Sequence, residues 1–386
     1  MKKLMILLPF AALAMASCTN SEDAVQTSPV AENQEVKIFP QVGGTTRGTV
    51  ETTASLSSFT LLADGKFATT ATATSSDVST VTKTVNKSGS TWAFAGDYKL
   101  YWFDATTTAK FTAYANSSVA AADGKLAGVT VPATLADQKD VLVAYNEGTK
   151  TDFTTGVPLH FRHAMSQIVV KASYTFDASI TGYGDKVIKV NGIKFFNLKN
   201  SGTLTLPTAS TAAGKDYEPA WSGHAGAEGF EVTLTSPVTL GSPATSIDLS
   251  EAANPLLLLP QTTAATTDLK AATVTGAYLA VSVDINNTDG SDYYPTTANT
   301  YAWVAVPVSI EWKGGSKYIY TLNFTNGAFG RIAPGTNDGT GENPENKVTP
   351  GNKKVGDALP DELLTPVSFL ITVEDEWTEY PLTPSF

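Results

Sequence analysis

The chain has 386 residues, of which 42% are hydrophobic and 16% charged, and its formal net charge is -11. That length allows roughly two or three domains with cores of their own, and the acidic balance excludes the basic face that nucleic-acid binding requires. A single cysteine, Cys18, rules out an internal disulfide framework, and only His160, His163 and His224 are available as imidazole ligands for a transition metal.

Residues 1–17 have the form of a signal peptide: Lys2-Lys3, an apolar run from Leu4 to Met15, then Ala16-Ser17 ahead of Cys18. A cysteine directly after small residues resembles a bacterial lipobox, whose thiol is diacylated as the signal is removed. An ordinary secretory signal followed by an incidental cysteine is the alternative. Residues 19–34 are polar and acidic, as in a solvated spacer. Glu35-Val-Lys-Ile-Phe39 reads as a first strand, and Gly43-Gly-Thr-Thr-Arg47-Gly48 as a small-residue loop open to an Arg-specific protease.

From Thr49 to about Asn146, short β-prone runs are punctuated by Ala63-Asp-Gly, Lys87-Ser-Gly, Ala95-Gly-Asp and Ala122-Asp-Gly, which read as turns. Trp92, Phe94, Tyr101, Trp102, Phe103, Phe111 and Tyr114 are read as mostly core residues rather than a carbohydrate platform. Val157 to Lys171 reads as one long strand, with His160, Arg162 and His163 as satisfied polar groups at a domain junction. No nucleophile motif accompanies them.

Beyond residue 172 the strands continue with Lys186–Asn197 (bent at Gly192), Thr203–Leu206, Phe230–Leu234, Leu256–Leu259, Ala277–Ile285, Trp303–Val306 and Lys317–Phe324. Ser250 to Ala253 reads as a single helical turn. The acidic loop Asp284–Asp292 lacks EF-hand spacing and reads as a hairpin on Asp289-Gly290. A polar run from Gly327 to Glu362 is a tether with room for one more strand. It leads to Val367, Phe369, Ile371 and Val373, which alternate with Ser368, Leu370, Thr372 and Glu374 as in a half-buried strand. No nucleotide fingerprint, zinc pattern or hydrolase elbow is present. The reading therefore includes no catalytic residue, metal or cofactor.

Leu159-His-Phe-Arg-His-Ala-Met-Ser-Gln-Ile-Val-Val170 resembles the signature of the fimbrillin family, the subunits of type V pili. In that family a Phe/Leu-x-His-x-x-Ser/Ala-x-Ile/Val-x-Val strand follows an Asp-x-Leu-x-Ala strand, and Asp140-Val-Leu-Val-Ala144 matches the latter. The resemblance implies an all-β chain of two transthyretin-like β-sandwich domains, here residues 48–157 and 158–386. It also implies a lipid on Cys18, cleavage between Arg47 and Gly48, and a removable strand at about Val36–Phe39 carrying Val36 and Ile38. The donor strand, about residues 366–380, then inserts Val367, Phe369, Ile371 and Val373 into a neighbour. The implied partners are other fimbrial subunits in a homo- or heteropolymer, the outer membrane before processing, and an extracellular Arg-specific protease. Two other readings compete: a monomeric lipoprotein at the surface (a pilus anchor or tip, or a binder of glycan or host protein) and a hydrolase on a β scaffold.

Overall fold

The computed structural model describes residues 33–42, 52–175, 186–209, 219–240, 247–250, 256–266, 275–295, 299–324, 331–332 and 368–374. Among them, regular structure is almost entirely strand, as composition predicts from its Thr, Val, Ser and Gly content. An eight-stranded sheet contains β1 (Ile38–Val42), β2 (Ser58–Ala68), β3 (Val78–Ser88), β4 (Thr91–Phe94), β5 (Tyr101–Trp102), β6 (Ala109–Ala115), β8 (Leu142–Gly148) and β9 (Val157–His163). Their order is β1-β9-β8-β6-β2-β3-β4, with β5 on β2. A second sheet runs β15 (Ile247–Asp248), β10 (Ser166–Ser173), β22 (Lys317–Asn323), β24 (Ser368–Glu374), with β16 (Leu256–Leu258) also on β10.

A third sheet runs β14 (Glu228–Leu240), β11 (Lys186–Leu198), β18 (Tyr278–Asn287), β20 (Ala302–Pro307), β23 (Arg331–Ile332), with β19 (Asp292–Tyr294) paired to β18. A small fourth sheet joins β7 (Lys125–Thr130) to β12 (Ser201–Thr205) and β13 (Ala220–Ala225), so a strand from the first half of the chain pairs with one from the second. β17 (Thr262–Thr263) and β21 (Ile310–Glu311) form a short ladder.

Two large cores result. One is built on the first sheet around Phe67, Trp102, Phe111 and Phe153, whose rings meet at 5.7 to 6.1 Å, mostly tilted or edge-on, as their quadrupoles favour. The other lies among the remaining sheets, with Phe195, Trp312 and Tyr320 packed edge to face. β8 is buried on both faces and serves both. Leu142 and Ala144 enter the first core, while Val143 and Tyr145 enter the second.

Several elements differ from the sequence reading. The first strand is centred later, at β1, with Glu35 bridging Tyr101 instead of lying in the sheet ladder. Ala63-Asp-Gly is not a turn: β2 runs through it, with a register shift between Asp64 and Phe67, and Gly65 leaves room for Ala109 against the strand. Val157–Lys171 is two strands in two sheets rather than one long strand, and the chain crosses between them at Ala164 and Met165.

Elsewhere the reading and the structure agree. Gly192 marks a register shift in β11, its Cα facing the Val232 carbonyl too closely for a side chain. Asp123 and Gly124 turn the chain at positive φ. The Asp284–Asp292 loop is the β18–β19 hairpin, in which the Asp289 carboxylate accepts from the Ser291 N–H and hydroxyl at 2.9 and 2.6 Å. Among the described residues, the Gly327–Glu362 run contributes β23, paired to β20. Residues 251–253 of the expected helical turn lie outside the described residues.

Candidate functional site

The segment from Asn33 to Val42 is held along its whole length. Asn33 N–H donates to the Ala71 carbonyl (2.6 Å), Val36 N–H to Leu100 (2.7 Å) and Trp102 N–H back to Gln34 (2.9 Å). Past that point the segment changes partners. Val157 N–H donates to Lys37 (2.8 Å), and β1 continues parallel to β9 from Ile38↔Val157 to Val42↔Phe161. Within its sheet β1 is an edge strand with one neighbour among the described residues, β9. Pro40, which has no N–H to donate, is tolerated at such an edge.

Alternation decides what the segment buries. Val36, Ile38, Pro40 and Val42 point inward, the three aliphatic residues being only 3%, 5% and 8% exposed. Each large apolar side chain so buried contributes roughly 1.5–3 kcal/mol. Taking the segment away would therefore open an apolar trench beside unpaired backbone groups of β9 and of residues 100–102, both costly in water. Val36 and Ile38, expected on a removable strand, are thus core residues, Val36 in the lead-in and Ile38 in β1, the first described strand, on a sheet edge.

The outward position Phe39 is 44% exposed, the one large hydrophobic residue so placed among the described residues. Its ring lies over Gly156, which holds φ +137 and could not carry a Cβ without running into that ring and approaching the Lys37 carbonyl oxygen to 3.0 Å. Replacing Gly156 with valine should destabilise the fold by roughly 1–3 kcal/mol, the usual cost of forcing atoms into a filled site. The loss should be local: amides of residues 36–42 exchange hydrogen faster while β11 is unchanged, as mass-spectrometric exchange would show.

At the other end of the chain, β24 occupies the open edge of β22, antiparallel, with Phe369 opposite Leu322, Ile371 opposite Tyr320 and Val373 opposite Tyr318. Those three β22 residues are buried, and Trp312 Nε1–H donates to the Tyr320 hydroxyl at 2.9 Å. Burial pushes the Tyr320 hydroxyl up to about 12. Cys18, Arg47, Gly48 and Val367 lie outside the described residues.

Asp140, from the first signature segment, and His163, from the second, are brought together where the chain crosses between sheets. His163 Nδ1 is 2.6 Å from Asp140 Oδ2, with both side chains almost fully buried. The crossing backbone is bonded at each step. Ala164 N–H donates to Val141, Trp221 Nε1–H to the Ala164 carbonyl (2.7 Å) and Gly315 N–H to Met165 (2.8 Å). Ser166 Oγ donates to Lys313 at 2.9 Å. The signature therefore builds a polar clasp at a junction. Arg162 and His160 sit on β9 opposite Val143 and Gln41. Sequence reasoning missed Gly156, whose only signal was an unremarkable Thr-Gly pair before a strand.

These features define an all-β chain whose first and last described strands each lie on a sheet edge. Residues 23–342 match the model of the family described as fimbrillin-like. The chain belongs to that family, and its role is that of a fimbrial subunit at the cell surface, structural and not enzymatic. Among solved structures it is similar to a fimbrial protein from Bacteroides vulgatus (16% identity, TM-score 0.46, covering 77% of this chain and 96% of that one). It is also similar to a candidate cell adhesion protein from Parabacteroides distasonis (12% identity, TM-score 0.45, 89% and 96%). No curated protein matches the chain. No helix among the described residues is long and apolar enough to cross a membrane.

Proposed function

We propose that the chain is exported as a lipoprotein acylated at Cys18, held on the outer membrane, and cut between Arg47 and Gly48 by an extracellular Arg-specific protease. The cut frees the segment that includes β1, and the C-terminal strand of another subunit takes its place, joining subunits into an adhesive fibre. The same reading divides the chain into two β-sandwich units, residues 48–157 and 158–386.

The observation that carries this is the burial of Val36, Ile38, Pro40 and Val42 at period two on an edge strand that precedes Arg47. A core that depends on a terminal, removable strand is one that another strand can complete, with main-chain bonds for affinity and alternate side chains for specificity. The C-terminal strand has the matching alternation. A second reading, a monomeric lipoprotein that stays anchored and serves as a pilus base, a tip or a binding module, draws on the docking of β24 on β22 of its own chain.

N-terminal sequencing and intact mass of the surface-exposed protein separate the two. The expected mature chain begins at Gly48 and runs as a detergent-resistant ladder. An uncut chain, still lipidated at Cys18 and migrating as one species, would overturn the assembly reading.

A further inference from the structure

The groove that β1 fills has a central feature besides its apolar floor. At Gly156 the wall carries no side chain, and the outward-facing ring of Phe39 lies in the gap. β1 and its lead-in thus present inward residues at 36, 38, 40 and 42 and one apolar outward residue at the middle, 39; the other outward positions are Lys37 and Gln41. The C-terminal segment 367–373 repeats this arrangement over the same length. Val367, Phe369, Ile371 and Val373 occupy alternate places, Ser368 and Thr372 are polar, and Leu370 stands alone in the middle.

Leu370 is the residue that breaks the two-residue alternation of the C-terminal strand, and on β22 it stands opposite Thr321. From this match we infer that the groove is built for the C-terminal strand of a second copy of this same chain, and that Leu370 takes the place of Phe39 over Gly156, fixing the register. The inference rests on the strand-exchange reading above and adds the partner and the register.

Because the pattern is the same read forwards or backwards about its centre, Leu370 meets Gly156 whichever way the donor runs. A donor displaced by one residue would turn all four anchors outward, the penalty that makes strand register strict where one face is buried. A displacement by two would keep the alternation but set Ser368 or Thr372 on Gly156 and leave one anchor without a place. The bare glycine thus distinguishes the correct register from the only shift that alternation alone would allow. Gly156 and Leu370 are, in this sense, specificity-determining residues for self-association.

The test uses the full chain as a single purified species, cut after Arg47, and follows covalent-bond-free assembly by gel and light scattering. Three variants place the same charge at successive outward positions: Ser368→Asp, Leu370→Asp and Thr372→Asp. Thermal unfolding of each uncut monomer reports any effect on β24 in its home sheet. Leu370→Asp is expected to slow assembly by about tenfold or more, as loss of a half-covered apolar contact and burial of a charge would do. The flanking variants should change it by about threefold or less, as exposed substitutions do.

A gain is expected as well: Leu370→Phe, which restores the side chain that Gly156 already accepts, should raise the temperature at which assemblies dissociate in detergent. If the cut wild-type chain alone does not assemble, the strand-exchange reading falls, and the partner with it. If it assembles but the three aspartate variants behave alike and Leu370→Phe has no effect, the register inference falls while strand exchange stands.

Discussion

Replacing Arg47 with alanine should leave a chain that is exported and folded but lowers fibre assembly by on the order of a thousandfold. The proposed strand exchange makes two strands compete for one groove. While the peptide bond after residue 47 is intact, the segment carrying β1 is tied to β2 through residues 43–57 and faces its groove at an effective concentration on the order of millimolar. A donor strand from another subunit, present at about micromolar concentration, competes at a disadvantage of roughly a thousandfold, or about 4 kcal/mol. It must also displace three buried aliphatic side chains and the backbone bonds to Leu100, Gln34 and Lys37. On the proposed reading, cutting after Arg47 ends the tether, so the leaving strand, once displaced, no longer faces the groove at that concentration, and the advantage passes to the donor.

Two controls isolate the cut itself. The uncut Arg47→Ala protein should unfold at the same temperature as uncut wild type, because the described core residues are the same in both. Arg47→Lys, exposed to a Lys-specific protease, should recover assembly. Mass spectrometry for the new N-terminus, read beside the high-mass ladder on a gel, measures both. Assembly of Arg47→Ala at the wild-type rate with an intact N-terminus would mean that the groove filled by β1 is not the polymerisation site.

How far the sequence alone discloses this arrangement depends on how many faces of a strand are buried. β1 has one buried row, so its alternation is visible in the residues, as is the Asp289-Gly290 turn. The run Val157–Lys171 misleads for the opposite reason. β9 and β10 are buried on nearly every residue, which erases the period and hides the passage from one sheet to another at Ala164-Met165. β3 was invisible because only Val81 and Val85 of it are buried among Thr, Ser and Lys. The pairing of β7 with β12 joins residues far apart in sequence, and no local pattern encodes it. Gly156 matters through what passes over it, and that is a property of the assembled fold.

The Asp140–His163 clasp is where a single substitution should cost the most stability. Asp140→Ala leaves the imidazole of His163, 1% exposed, without the carboxylate that sits 2.6 Å from its Nδ1. Removing one member of a buried, charge-bearing pair costs roughly 3–5 kcal/mol when the other cannot reach water, and a lost buried hydrogen bond alone costs about 1–3 kcal/mol. A loss of about 3 kcal/mol would lower the melting temperature by roughly 5–10 °C. Asp140→Asn, which keeps an oxygen to accept from Nδ1–H, should lose about half as much.

The double variant Asp140→Ala/His163→Ala should be less destabilised than the sum of the single ones, because each single change already ends the same interaction. Calorimetry on the four proteins closes that cycle. The position of the clasp makes the result more than a stability figure. Asp140 precedes β8 and His163 ends β9, the strand against which β1 lies. Loosening it should therefore also speed hydrogen exchange along β9 in the uncut chain, and weaken the groove that a donor strand must find. If exchange along β9 were unchanged while the melting temperature fell, the clasp would serve the junction alone and the groove would be formed independently of it.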